Sequence, residues 1–284
     1  MILGCLEQIL VFLPMALGIF LSYSVLKITD LTVDGSFVLA PAVFARLLEY
    51  GFPLPAALVL GVFAAGSAGV ITALVQKEER ISPLLAGILV SYCLFSLNLL
   101  ILGKPNFGLS DYPHLGDVLA SGVVYFAITI FIYIVFLGGL ISPLGSYLRA
   151  FGSNRYLLRD MSQKEERCRR VGLFICNSLA GISGCLTADL NDYVDCRMGQ
   201  GVVLVGIGTV VIGLQLVPRY LASPLVELSL ASVFVAVGVA IYFMLMSCLM
   251  QAGLDPFHLK LFLGVSLTIF MVASSRSQMA GRMS

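Results

Sequence analysis

The chain has 284 residues, 59% of them apolar and 12% charged, with a mean hydropathy of +0.99. A soluble domain carries about 25% charged residues, so this polar complement cannot cover a globule in water, and the composition is that of a polytopic membrane protein. The 17 cations and 16 anions nearly cancel, which excludes a nucleic-acid binder driven by bulk charge.

In chain order, charge-free runs occupy 8–26, 50–76, 81–103, 118–148, 171–188, 198–218 and 228–254, with a shorter one at 261–275. The first seven approach or exceed the roughly 20 residues that cross about 30 Å of hydrocarbon. Between the first two lies Gly35–Ala45, an uncharged stretch of 11 residues bounded by Asp34, Arg46 and Glu49, which predicts a short or broken helix. The expected fold class is therefore an all-α polytopic membrane protein of about nine (8–10) transmembrane helices, a single transmembrane domain over 1–284. The segments at 199–217 and 258–275 are its shortest crossings, and 199–217 reads equally as a re-entrant segment. Glu7 and no basic residue precedes the first run, so a cleaved signal peptide is not expected.

Cytoplasmic loops collect Lys and Arg. With nine alternating crossings and the N-terminus outside, the cytoplasmic side holds 13 of the 17 cations, and Arg46, Lys104, Arg197 and Lys260 remain outside. Asp111, Asp117, Asp189, Asp192, Asp195 and Asp255 gather on that outer side, and the C-terminus falls in the cytoplasm. Gly61, Ala65 and Gly69, and likewise Ala180, Gly184 and Ala188, repeat every fourth residue, a spacing that lets helix backbones approach in lipid. With no Trp present, Tyr50, Tyr112, Tyr125, Tyr193 and Tyr220 supply the interfacial aromatics.

Polar groups inside apolar segments are candidates for a solute path, and for any single one of them a structural role in helix packing is the plainer reading. Asp30 and Asp34 flank an apolar run, and an intramembrane carboxylate is a functional candidate by its cost. The plainer role for Asp34 or Ser36 is to cap the short helix that follows. Asn98, Asn177 and Ser178 need partners across helices or in a wet cavity, and Gln200 sits in the glycine-rich Gly199-Gln200-Gly201 stretch before Gly206, Gly208 and Gly213. Asp34, Ser36, Asn98, Asn177, Ser178 and Gln200 form the candidate substrate pathway.

The longest polar connection, 142–170, begins with Leu144, Tyr147, Leu148 and Phe151 at helical spacing. Gly152-Ser153-Asn154 then ends that helix, and Asn154 can cap a second one. Such a basic amphipathic hairpin either docks in a groove on a soluble partner or lies on anionic lipid. No catalytic residues and no metal ligands are expected, because neither His114, His258 nor the seven cysteines fall at ligand spacing. No phosphate-binding loop is present, since Asn98 stands where its first glycine would precede Gly103-Lys104.

Several stretches together are similar to one family. They are Asp30-Leu-Thr-Val-Asp-Gly-Ser-Phe37, Ile81-Ser-Pro-Leu-Leu-Ala-Gly-Ile-Leu89, the run from Asn98 to Asn106, and Leu148-Arg-Ala-Phe-Gly-Ser-Asn154. Met198-Gly-Gln-Gly201, Val211-Ile-Gly213 and Gly253-Leu-Asp-Pro-Phe-His-Leu-Lys260 follow in the same order. The chain resembles the permease subunit of an ATP-binding-cassette importer of the branched-chain and aromatic amino acid type. The sequence departs from that family at Arg159–Lys164, where an Ala-x-x-x-Gly-like turn is usual, and carries Asp34 where relatives often have Glu.

The resemblance implies a bacterial cytoplasmic-membrane protein, multi-pass and not itself an enzyme, that moves an amino acid by alternating access. It implies a coupling helix near 144–160 that docks on a separate cytoplasmic ATP-binding subunit, with Gly145, Leu148, Arg149, Phe151, Gly152, Asn154 and Arg155 as its residues. It further implies an extracytoplasmic substrate-binding protein and a second permease subunit, a copy of this chain in a homodimer or a related permease in a heterodimer. No cofactor binds this chain on that reading, since ATP and Mg belong to the partner ATPase. The competing reading is an ion-coupled secondary transporter in which Asp34 is indispensable; a membrane enzyme or scaffold would need a reactive cluster that the sequence lacks.

Overall fold

The computed structural model describes residues 2–76, 81–113, 121–153, 162–217 and 224–251, together with 253 and 264. Apart from residue 264, the expected crossing at 258–275 lies outside the described residues, as do Asn154 and Arg155. Helix α1 (Ile2–Phe20) continues into a π-helical turn, Leu21–Val25. After it come α2 (Val33–Glu49), α3 (Leu54–Val75), α4 (Pro83–Leu102), strand β1 (Asn106–Gly108), α5 (Ser121–Ile141) and α6 (Pro143–Ser153). The chain then forms α7 (Ser162–Asn191), strand β2 (Tyr193–Asp195), α8 (Val202–Gln215) and α9 (Pro224–Gln251). Among the described residues, six helices are long and apolar enough to cross a membrane: α1 with its π turn, α3, α4, α5, α7 and α9. The protein is thus an all-α polytopic membrane protein, with α2 and α8 as shorter helices between the spans.

Local chemistry sets the ends of these helices. Ser82 accepts a hydrogen bond from Leu85 N at 3.3 Å and Pro83 opens α4, while Gly103, at φ +66°, closes it in the left-handed conformation. Ser142 caps α6 in the same way, accepting from Gly145 N at 3.3 Å. Helix α7 starts nine residues ahead of its charge-free run. Its first turns are charged but pair along the helix, Glu165 with Arg169 at 3.0 Å and Glu166 with Arg170 at 3.5 Å.

Helix α7 forms the centre, packed along α3, α1 and α2, whereas α4, α5 and α9 leave most of their surface uncovered. The small-residue stripes explain the contact. A Cβ on Gly184 would lie 1.9 Å from Phe37 O, and one on Gly61 would lie 2.6 Å from Ala40 O. The backbone of α2 is therefore clasped between a glycine of α7 and a glycine of α3, an approach that any side chain would prevent. Polar bonds reinforce the clasp. Arg169 donates to Gln76 O at 2.9 Å, tying the start of α7 to the end of α3, and Tyr125 of α5 donates to Asp189 of α7 at 2.8 Å. At the opposite end, β1 and β2 pair antiparallel with Phe107 opposite Val194, both buried, joining the α4–α5 and α7–α8 connections.

Candidate functional site

A cleft of about 470 Å³ opens between α2, α4 and the segment that leads into α8. One face of α4 supplies Ser91, Tyr92, Phe95 and Asn98, which fall at i, i+1, i+4 and i+7 of a helix. The first turn of α2 supplies Asp34, and Gln200 and Gly201 close the third side. Gly35 lets the helices meet here, because a Cβ would lie 2.7 Å from Leu94. The Gly35 carbonyl accepts from Asn98 Nδ2 at 3.1 Å. Asn98 is buried, and its Oδ1 has no hydrogen-bond partner among the described residues.

Asp34 does cap a helix, but not its own. Helix α2 starts from Thr32 without a side-chain cap, and Asp34 reaches out of its first turn to α8. Its Oδ1 accepts from Val203 N at 2.8 Å and its Oδ2 from Gly201 N at 3.3 Å. Gly201, at φ +82°, has no side chain with which to cap α8. A carboxylate from another helix therefore satisfies the exposed N–H groups and the positive end of the α8 dipole. Gly199 makes this possible: a Cβ there would lie 2.1 Å from Asp34 O. At 1.5 Å per residue, α8 is about 21 Å long, short of the roughly 30 Å hydrocarbon core. It starts against the first turn of α2, so the chain descends from β2 through residues 196–201 before the helix begins.

The other candidate pathway residues lie behind the cleft. Asn177 donates to Asp30 Oδ2 at 2.8 Å and to Leu173 O at 2.9 Å, and accepts from Ser36 Oγ at 2.7 Å. Asp30 Oδ1 accepts from Thr32 N at 2.9 Å, and Thr32 and Thr72 share a hydroxyl bond of 2.7 Å. All five side chains are buried, and the network binds α2, α3 and α7 together where the chain turns from α1 into α2. Ser178 faces α3, packed where a Cβ on Gly66 would be, and its Oγ has no hydrogen-bond partner among the described residues. The structure thus gathers Asp34, Asn98 and Gln200 at the cleft and sets Ser36, Asn177 and Ser178 apart from it.

Helix α6 is seated on its own chain. Leu148 and Phe151 are buried, Gly145 packs on the carbonyls of Gly139 and Leu140, and Arg149 donates to Leu140 O at 3.0 Å and Ser146 Oγ at 2.8 Å. Gly152 lies directly on the π turn, where a Cβ would be 1.7 Å from Val25 O. The expected apolar stripe divides: Leu148 and Phe151 anchor the helix, while Leu144 and Tyr147 stay exposed along with Ser146 and Ser153. The π turn itself is defined by Leu26 N donating to Leu21 O at 2.9 Å, and the chain then reverses at Lys27, φ +55°. The segment from Val25 to Asp34 therefore touches α6 at one end and lines the cleft at the other.

Sequence reasoning passed over Tyr92 and Phe95, which supply the aromatic wall. The signal was a row of Ser, aromatic and Asn residues on one face of an otherwise aliphatic span. The π turn and its contact with Gly152 have no comparable signature.

Residues 1–272 match the family described as branched-chain amino acid transport system / permease component. The chain is 40% identical over 282 residues to the uncharacterised protein RP368 of Rickettsia prowazekii, covering 98% of this chain and 99% of that one. It is 28% identical over 275 residues to a tyrosine transport system permease protein of Clostridioides difficile, covering 96% of this chain and 91% of that one. Among solved structures, PsaBC from Streptococcus pneumoniae in complex with Fab overlays with a TM-score of 0.46 at 15% identity, covering 85% of this chain and 88% of that one, a likeness too distant to assign function.

Proposed function

The chain belongs to the family described as branched-chain amino acid transport system / permease component, and from that premise we propose that it is the permease subunit of an ATP-binding-cassette importer and carries an amino acid along a path that includes the cleft between α2, α4 and α8. A separate cytoplasmic ATPase docks on the exposed face of α6, which carries Leu144 and Tyr147, and drives alternating access, while nucleotide and Mg bind that partner. The relative named as a tyrosine transport system permease supports an aromatic cargo. The observation that carries this reading is the Val25–Asp34 segment, which rests against Gly152 of the docking helix and also forms a wall of the cleft. A partner shifts a conformational equilibrium only if it contacts the two states differently, and this segment gives α6 a short mechanical route to the site.

The complete assembly is a homodimer of this chain with two ATPases, loaded by an extracytoplasmic binding protein, in the bacterial cytoplasmic membrane. The whole of 1–284 is one permease domain of nine crossings, N-terminus outside and C-terminus in the cytoplasm. Grouping of Gln76 with Arg169, and of Val25 with Gly152, at the end opposite the β ribbon supports that alternation. An ion-gradient carrier is the reading the family does not favour.

The test is uptake of labelled L-tyrosine, L-phenylalanine and L-leucine into vesicles holding this chain, its ATPase and the loaded binding protein. Accumulation that requires ATP is the expected result. Accumulation at full rate without the ATPase, and driven by an imposed ion gradient, would overturn the reading.

A further inference from the structure

Resting on the reading of the cleft as part of the substrate path, we infer that it recognises its solute by the amine rather than by the carboxylate, with the aromatic side chain laid against Tyr92 and Phe95. Three observations converge on this. The wall of the cleft carries one charged side chain among the described residues, Asp34, and it is an anion. Of the three buried side-chain atoms without a hydrogen-bond partner among the described residues, Asn98 Oδ1 is the one in this wall. The amide orientation of Asn98 is fixed, because its Nδ2 is used on the Gly35 carbonyl. A buried acceptor without a donor costs free energy until a donor arrives, and an ammonium group supplies up to three.

The carboxylate has the opposite prospects. Lys, Arg and His are absent from the described wall of the cleft. At the start of α8, the natural anion site of a half-helix in a transporter, the backbone N–H groups of Gly201 and Val203 already donate to Asp34. A substrate carboxylate is left at the mouth beside Gln200, which is exposed. Tyr92 and Phe95 lie on one face of α4, so a ring can stack beside them while the ammonium reaches toward Asn98 and Asp34. The class of ligand is thus a primary amine bearing an aromatic group. Decarboxylation leaves such a ligand recognisable, and deamination does not.

The experiment is equilibrium binding of three labelled probes to the full-length protein in lipid nanodiscs: L-tyrosine, tyramine, and 3-(4-hydroxyphenyl)propionate. The first two are expected to bind within about 3-fold of each other, and the acid on the order of 10-fold more weakly or worse, the worth of a charge-assisted hydrogen bond. Asn98→Leu should weaken tyrosine and tyramine by about 10-fold and leave the acid unchanged. Phe95→Ala should weaken all three.

Equal binding of the acid and tyramine to the unsubstituted protein overturns the inference, whatever the variants do. So does an Asn98→Leu effect of the same size on all three probes. Failure of all three probes to bind, alongside ATP-driven uptake, also overturns it while leaving the permease reading intact. Amine-selective binding without ATP-driven uptake supports the inference and defeats the transport reading.

Discussion

Substituting Gly152 by Ala adds a single methyl group where helix α6 rests on the π turn. The new Cβ would stand 1.7 Å from Val25 O, 2.8 Å from Val25 C and 3.3 Å from Leu26 C. A carbon approaches a carbonyl oxygen to roughly 3.3 Å, so α6 must lift or slide by about 1.5 Å, and none of the clashing atoms is the tip of a flexible side chain. Overpacking of this kind costs about 1–3 kcal/mol. That is spent against the anchoring of Leu148 and Phe151, which are buried in the same interface, and the helix stays attached but displaced. The expected outcome is a protein that still inserts and binds its ATPase but passes on less of each stroke. Uptake per ATP hydrolysed should fall on the order of 10-fold, since about 1.4 kcal/mol of misplaced coupling is a factor of ten. The assay measures solute uptake and phosphate release in the same vesicles. Gly138→Ala is the control, because a Cβ there meets nothing within 4 Å. An unchanged ratio of uptake to hydrolysis in Gly152→Ala would refute the reasoning, as would equal loss in Gly138→Ala.

Other substitutions test the remaining joints. Asp34→Ala strips the cap from α8 and should lower stability by about 1–2 kcal/mol, read as a lower melting temperature in detergent, with Asp34→Asn recovering part of the loss. Gly184→Ala sets a Cβ 1.9 Å from Phe37 O and should cost about 1–3 kcal/mol by the same assay. Gly4→Ala, which meets nothing within 4 Å, should leave the melting temperature unchanged. Asn177→Leu strands Asp30 and Ser36 in a buried site and should cost about 3 kcal/mol or more. Protein yield after membrane extraction would fall, and Ser36→Ala in the same chain should restore some of it. An Asn177→Leu protein as stable as the parent would mean that the network is dispensable.

The spans were legible because apolar runs and charges are physical requirements of the bilayer. The six crossing-length helices fall largely on charge-free runs, and the Gly61 and Gly184 stripes mark real close approaches. Helix α7 outran its expected start because Glu165 and Glu166 pair with Arg169 and Arg170, turning a charge run that reads as a loop into helix. The Asp34 cap was half legible. A carboxylate near a helix start suggests capping, but only the tertiary fold brings α8, 167 residues away along the chain, to that carboxylate. Ser36 and Asn177 look like pathway residues in the sequence because both are polar in apolar surroundings; in space they satisfy each other. Tyr92 and Phe95 were passed over despite sharing a face with Ser91 and Asn98, since aromatic side chains in a span read as lipid-facing until a neighbour defines a cleft. The β ribbon escaped notice because each strand is three residues long, too short for any alternation to register.

The central claim is that nucleotide at the partner ATPase moves the cleft through α6 and the Val25–Asp34 segment. A spin label at Gln200→Cys, on the exposed rim of the cleft, reports this in vesicles containing the ATPase. Its accessibility to a water-soluble relaxation agent is measured with nucleotide absent and with ATP and Mg trapped. The account predicts a severalfold change between the two states, abolished by Gly152→Ala. Identical accessibility in both states, in vesicles that still accumulate solute, would contradict it.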